Sequence, residues 1–117
     1  MATVILNIPQ IIGTNDCVAL ADGQKVHDEI ANNLRAGNVI HVSFAGVRSI
    51  ITAFLNAAIG QLYGDFKDDV IAKNLFLVDA KPEDAQKVKR VVDGAKLYFK
   101  DKKKFEASQR DVMGGND

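Results

Sequence analysis

Short apolar runs alternate with amphipathic stretches along this chain, and the rhythm predicts strands interleaved with helices. Thr3-Val-Ile-Leu-Asn-Ile8 is a β-branched run that reads as a first strand, ended by Pro9, which lacks a ladder donor. Gly13-Thr-Asn-Asp16 reads as a turn, and Cys17-Val-Ala-Leu20 suits a short strand pairing back as a hairpin. Asp22 is the expected N-cap of a helix through Arg35. Val26, Ile30 and Leu34 recur every four residues on its apolar stripe, and Lys25, Asp28, Glu29, Asn32 and Asn33 take the other faces. Arg35 suits the negative end of that helix dipole, and Gly37 supplies a left-handed stop.

Val39 to Phe44 is a nearly continuous apolar run, as expected of a strand covered on both faces. After the Ala45-Gly46 turn, Thr52 is predicted to cap a second helix reaching about Phe66. Leu55, Ala58, Ile59, Leu62 and Phe66 form its core stripe, and Phe54 and Ala57 widen it into the most buried helix of the fold. Gly60 costs about 1 kcal/mol against Ala inside a helix, which predicts close packing against another backbone. Leu75-Phe-Leu-Val78 reads as another buried strand. Pro82, Glu83 and Asp84 mark a helix start, and Ala85, Val88, Val91, Val92, Ala95 and Phe99 are its expected buried face.

From Asp101 the chain turns polar and ends Gly114-Gly-Asn-Asp117, so residues 1–100 are expected to form the domain and 101–117 a helix extension and flexible tail. The predicted class is α/β: a small mixed or parallel sheet of about four strands packed with three helices and joined by right-handed crossovers.

Composition narrows the functional classes. A chain of 117 residues makes one domain, large enough to bury roughly two-thirds of its unfolded surface. Fifteen basic residues balance fifteen acidic ones, so no long-range field steers the protein toward nucleic acid or an anionic membrane. No apolar run approaches the roughly 20 residues of a membrane span. Met1-Ala-Thr-Val-Ile-Leu6 lacks the basic lead of a secretory signal, and the single cysteine, Cys17, fits a reducing compartment. A cytoplasmic location follows as the expectation, with Cys17 a small buried hydrophobe.

Little of the remaining sequence suggests chemistry. His27 and His41, the two histidines, share no metal-ligand spacing, so no metal or cofactor is expected. Gly46 stands alone, without the Lys-Ser/Thr of a phosphate loop. Asp65-Phe-Lys-Asp-Asp69 lacks the alternating ligands of a calcium loop and reads as a solvated connection. The lysines from Lys87 to Lys104 make a solvated basic face whose aromatic neighbour, Phe99, is claimed by the core. No base and nucleophile can be assembled into a catalytic set, so the chain is expected not to be an enzyme.

The corner from Val39 to Asn56 carries a resemblance. Ser43-Phe-Ala-Gly-Val47, then Ile51-Thr-Ala-Phe-Leu-Asn56 and Ala57-Ala-Ile-Gly-Gln-Leu-Tyr63, resemble the STAS-like family, as do Leu75-Phe-Leu-Val78 and Pro82-Glu-Asp84. The similarity covers roughly Asp22 to Phe99. It implies a STAS-like fold related to anti-sigma factor antagonist domains and a regulatory, non-enzymatic role. The implied partner is a regulatory ATP-binding or kinase-like protein; a homodimer is compatible, and neither nucleic acid nor membrane is expected.

In the better-known STAS regulators a partner kinase phosphorylates a Ser at this corner, and here Thr52 holds that place and Ala53 the second Ser. Ile51 replaces the preceding Asp, and Phe54 replaces a Gly. The resemblance therefore makes Thr52 the candidate phosphoacceptor, and Gly46, Arg48, Ser49, Thr52 and Asn56 the candidate partner surface. The alternative reading is a small anion- or nucleotide-binding protein that uses the helix N-terminus at Thr52.

Overall fold

A computed structural model describes residues 2–114, with side chains described for residues 2–102. Three parallel strands form the main sheet: β1 (Thr3–Asn7), β3 (Val39–Ser43) and β5 (Leu75–Val78), in the order β1-β3-β5. Two shorter strands, β2 (Asp16–Cys17) and β4 (Ser49–Ile50), pair parallel to each other. The architecture is the expected α/β class.

The first twenty residues depart most from the sequence reading. Pro9 does end the strand, but it does so inside a short helix, α1 (Ile8–Ile12), where an early proline loses no hydrogen bond. Asn7 caps it by accepting from the Gln10 amide at 3.0 Å, and Gly13 closes it with φ of 76°. After this helix the chain enters β2. Cys17 runs parallel to Ile50 rather than returning along β1, and the expected hairpin does not form.

Helix α2 (Leu20–Arg35) begins two residues before the expected cap: Ala19 is the N-cap, without a side-chain bond, and Asp22 lies in the first turn. There its carboxylate still faces the positive end of the dipole. Val26, Ile30 and Leu34 are buried as predicted. Strand β3 is fully covered on one face and partly on the other. Ile40 and Val42 are buried, but His41 is half-buried in a row with Ile5 and Phe76, which are 73% and 43% exposed. His41 and Ser43 alternate with Ile40, Val42 and Phe44, so one face of the nearly continuous run is the more polar.

The second helix is broken into three pieces: α3 (Thr52–Leu55), a π-helical turn (Asn56–Gly60) and α4 (Leu62–Asp65). The wide turn is closed by the Gln61 amide donating to the Asn56 carbonyl at 3.0 Å. Phe54, Leu55 and Leu62 are fully buried, so the expectation of a deeply buried helix holds. It lies between α2 and α6 (Pro82–Gly114). A Cβ on Gly60 would stand 3.4 Å from Val91 and 3.7 Å from Ala95, so the close approach is to side chains of α6 rather than to backbone.

Residues Asp65 to Asp69 are not simply a solvated connection, since α5 (Asp68–Asn74) starts there with two carboxylates in its first turn. On α6, Val88, Val91 and Ala95 are buried, whereas Ala85 is exposed and Asp84 is buried in its stead. The last three residues of the expected tail, 115–117, lie outside the described residues.

Candidate functional site

The corner after β3 is held by hydrogen bonds between strand ends. Ser43 donates through Oγ to Asp79 Oδ2 at 2.7 Å and accepts from the Ala45 amide at 3.2 Å. Asn7 donates to the Ala45 carbonyl at 3.0 Å, which ties the end of β1 to the same turn. Gly46 follows with φ of 87°, a left-handed conformation that favours glycine, and a Cβ there would face Pro9 at 3.6 Å. Asp79 holds φ of 62°, an uncommon place for a residue with a side chain, under the Ser43 bond.

Arg48 and Ser49 are exposed, and both are bound to one carboxylate. Arg48 donates to Asp16 through Nε at 2.9 Å and Nη2 at 2.5 Å, and Ser49 Oγ donates to Asp16 Oδ1 at 2.9 Å. The Arg48 guanidinium, with the Ser49 hydroxyl second, holds the Asp16 carboxyl down at about 2. The Arg48 amide also donates to the Asn15 carbonyl at 2.8 Å. Asp16 is therefore the organiser of this loop pair. It reads only as a turn residue because its partners lie 32 and 33 positions away.

Thr52 is the first residue of α3 and is exposed. It is not the cap: Ile51 holds that position, and no side chain caps the helix. Beside it the Ile51 amide donates to the Cys17 carbonyl at 3.2 Å, and Lys87 reaches from α6 to the Ile50 carbonyl at 2.9 Å. Exposed apolar side chains gather here: Ile51 (41%), Val18 (52%), which follows Cys17, and Leu20 (61%), which lines a groove with Ala53. Cys17 itself is fully buried, and burial pushes its thiol up to about 11.

The candidate residues fall on two sides of Thr52. Gly46, Arg48 and Ser49 belong with the Asp16 loop, and Arg48 lines a shallow depression with Pro9, Gly13 and Asn15. Asn56 is exposed on the other side, in the groove shared by α2, α3, the π turn and α4, together with Gln24, His27, Gln61 and Asp65. His27 drew no functional expectation as a lone histidine beside a helical stripe, yet it is buried in that groove. Among the described residues, no three or more His, Cys, Asp or Glu side chains gather to hold a metal ion. Nor is any described helix long and apolar enough to cross a membrane.

A family model described as a STAS-like domain of unknown function (DUF4325) matches residues 22–85, which span α2 through the start of α6 and include every candidate residue above. No curated protein and no solved structure matches the chain.

Proposed function

The chain belongs to the STAS-like domain family of unknown function, and from that premise we propose that it is a non-enzymatic regulatory module that docks on a partner protein. The carrying observation is that three large apolar side chains, Val18, Leu20 and Ile51, are left exposed on the segments that meet beside the exposed Thr52, where the Ile51 amide donates to the Cys17 carbonyl. Large apolar side chains left exposed together are a mark of a docking patch. The corner is also stiff, because the Asp16 and Ser43 hydrogen bonds fix the loops on which these residues ride. A preorganised surface loses less entropy on binding.

The partner of this reading is a regulatory ATP-binding or kinase-like protein, and Thr52 is the residue it modifies. A phosphoryl group at Thr52 adds about −1.5 to −2 charge to an apolar patch, which weakens apolar docking. Affinity purification from the native cell, with Thr52→Asp and Ile51→Lys run alongside, tests the proposal. The native chain should recover a protein partner that both variants lose. Recovery of the same proteins by all three sinks it. Nucleotide binding by the isolated chain in a calorimeter would instead favour the anion-site reading.

A further inference from the structure

We propose that β1 is a self-association edge, which pairs antiparallel with β1 of a second copy of this chain about a two-fold axis at Ile5. In the three-stranded sheet β1 is an outer strand, with β3 on one side and, among the described residues, no strand on the other. The register fixes which backbone groups are left there. The Val39 amide donates to the Ala2 carbonyl at 2.8 Å, so Ala2, Val4 and Leu6 turn their backbone groups toward β3. Thr3 and Ile5, between them, turn their amides and carbonyls to the free edge.

Such a row of unpaired groups is a template for another strand, and sheets ordinarily blunt it with charge, proline, a bulge or a covering segment. Thr3-Val-Ile-Leu-Asn7 carries no charge and no proline, and it pairs with β3 residue for residue, without a bulge. Its middle is bare, since Ile5 is 73% exposed. So exposed, the Ile5 side chain adds little to the core of a single copy.

The order of residue types selects a second copy over an unrelated strand. Read from either end, the strand runs polar, aliphatic, isoleucine, aliphatic, polar. Antiparallel pairing about Ile5 sets Thr3 opposite Asn7 of the second copy, Val4 opposite Leu6, and Ile5 opposite Ile5. Like meets like at each step, and no charges oppose one another. The backbone agrees, because two residues that both turn outward exchange a pair of hydrogen bonds across an antiparallel ladder. The two Ile5 side chains meet on the outer face, joining the Ile5, His41 and Phe76 row of one copy to that of the other. The half-buried Val4 and Leu6 meet on the core side.

An isologous contact of this kind closes as a dimer. A five-residue edge buries well under the roughly 800 Å² per partner of a standard stable interface, so the association is weak and concentration-dependent. It shares no residue with the surface around Thr52 and stands or falls independently of the docking proposal.

The test is sedimentation equilibrium of the full chain from micromolar to millimolar concentration, with amide hydrogen exchange alongside. The expected result is a reversible monomer–dimer equilibrium in which the Thr3 and Ile5 amides exchange several-fold more slowly as the dimer fills. Ile5→Pro removes an outward amide but no bond to β3, so it should keep the native circular dichroism and weaken association at least tenfold. Ile5→Lys leaves the backbone unchanged, sets two like charges across the axis, and should weaken association to the same degree. A chain that stays monomeric to millimolar concentration would leave the edge to a different strand and overturn the proposal. So would a dimer that folded Ile5→Lys leaves intact, or one in which Thr3 and Ile5 exchange as fast as in the monomer.

Discussion

Arg48 grips Asp16 with two parallel hydrogen bonds, at 2.9 and 2.5 Å, and so clamps the β4 loop to the β2 loop across 32 positions of sequence. Bidentate geometry of this kind is specific to guanidinium, and lysine cannot replace it. The clamp depresses the Asp16 pKa from 3.8 to about 2. A carboxylate whose folded pKa is lowered stabilises the fold above its unfolded pKa and loses that contribution as pH falls through the folded value. Carboxyl NMR should therefore show Asp16 titrating near 2 in the native chain, and Arg48→Gln should return it toward 3.8. The acid limb of the stability curve between those values should flatten in Asp16→Asn. An Asp16 midpoint that ignores Arg48→Gln would refute the clamp.

Glycine positions separate packing from propensity. A Cβ on Gly23 would lie 2.9 Å from both the Phe54 carbonyl oxygen and the Ala57 Cβ, where α2 crosses the helix that follows β4. Gly23→Ala should cost about 1–3 kcal/mol by overpacking. Gly94 on α6 has nothing within 4 Å of its added Cβ, so Gly94→Ala should gain about 0.5–1 kcal/mol from helix propensity. Paired urea melts would show the two midpoints moving in opposite directions.

Cys17 should be inert in the folded protein. Burial first, and the nearby Asp16, Asp22 and Asp84 charges second, raise its thiol to about 11, so thiolate is scarce at pH 8. Iodoacetamide should label it only once the chain is unfolded in urea. Rapid labelling of the native protein would mean that β2 opens readily.

Thr52 can be tested for a structural role independently of any partner. Removing a capping threonine costs about 1 kcal/mol. Thr52 makes no capping bond and is exposed, so Thr52→Ala should change stability by less than about 0.5 kcal/mol. A thermal melt displaced further than that would give the hydroxyl a structural duty.

The parts legible in sequence were those with a strong local period. The Val26, Ile30, Leu34 stripe, the buried run through Leu55 and Leu62, and the Leu75–Val78 strand are recovered because burial and periodicity coincide there. Less legible were elements too short for a period. The Ile8–Ile12 helix has five residues and includes a proline, and β2 and β4 have two residues each. Thr52 looked like a cap by residue type, but capping depends on the backbone, and the extended conformation falls one residue earlier, at Ile51.

By itself, the sequence determined the family and the α/β class. These follow from local patterns, which survive reading one residue at a time. Only the tertiary structure decided that Asp16 binds Arg48, that Ser43 holds Asp79, and that His27 meets Asp65. Each pairing joins separate elements whose meeting is set by how helices and sheet pack, and no spacing along the chain encodes it.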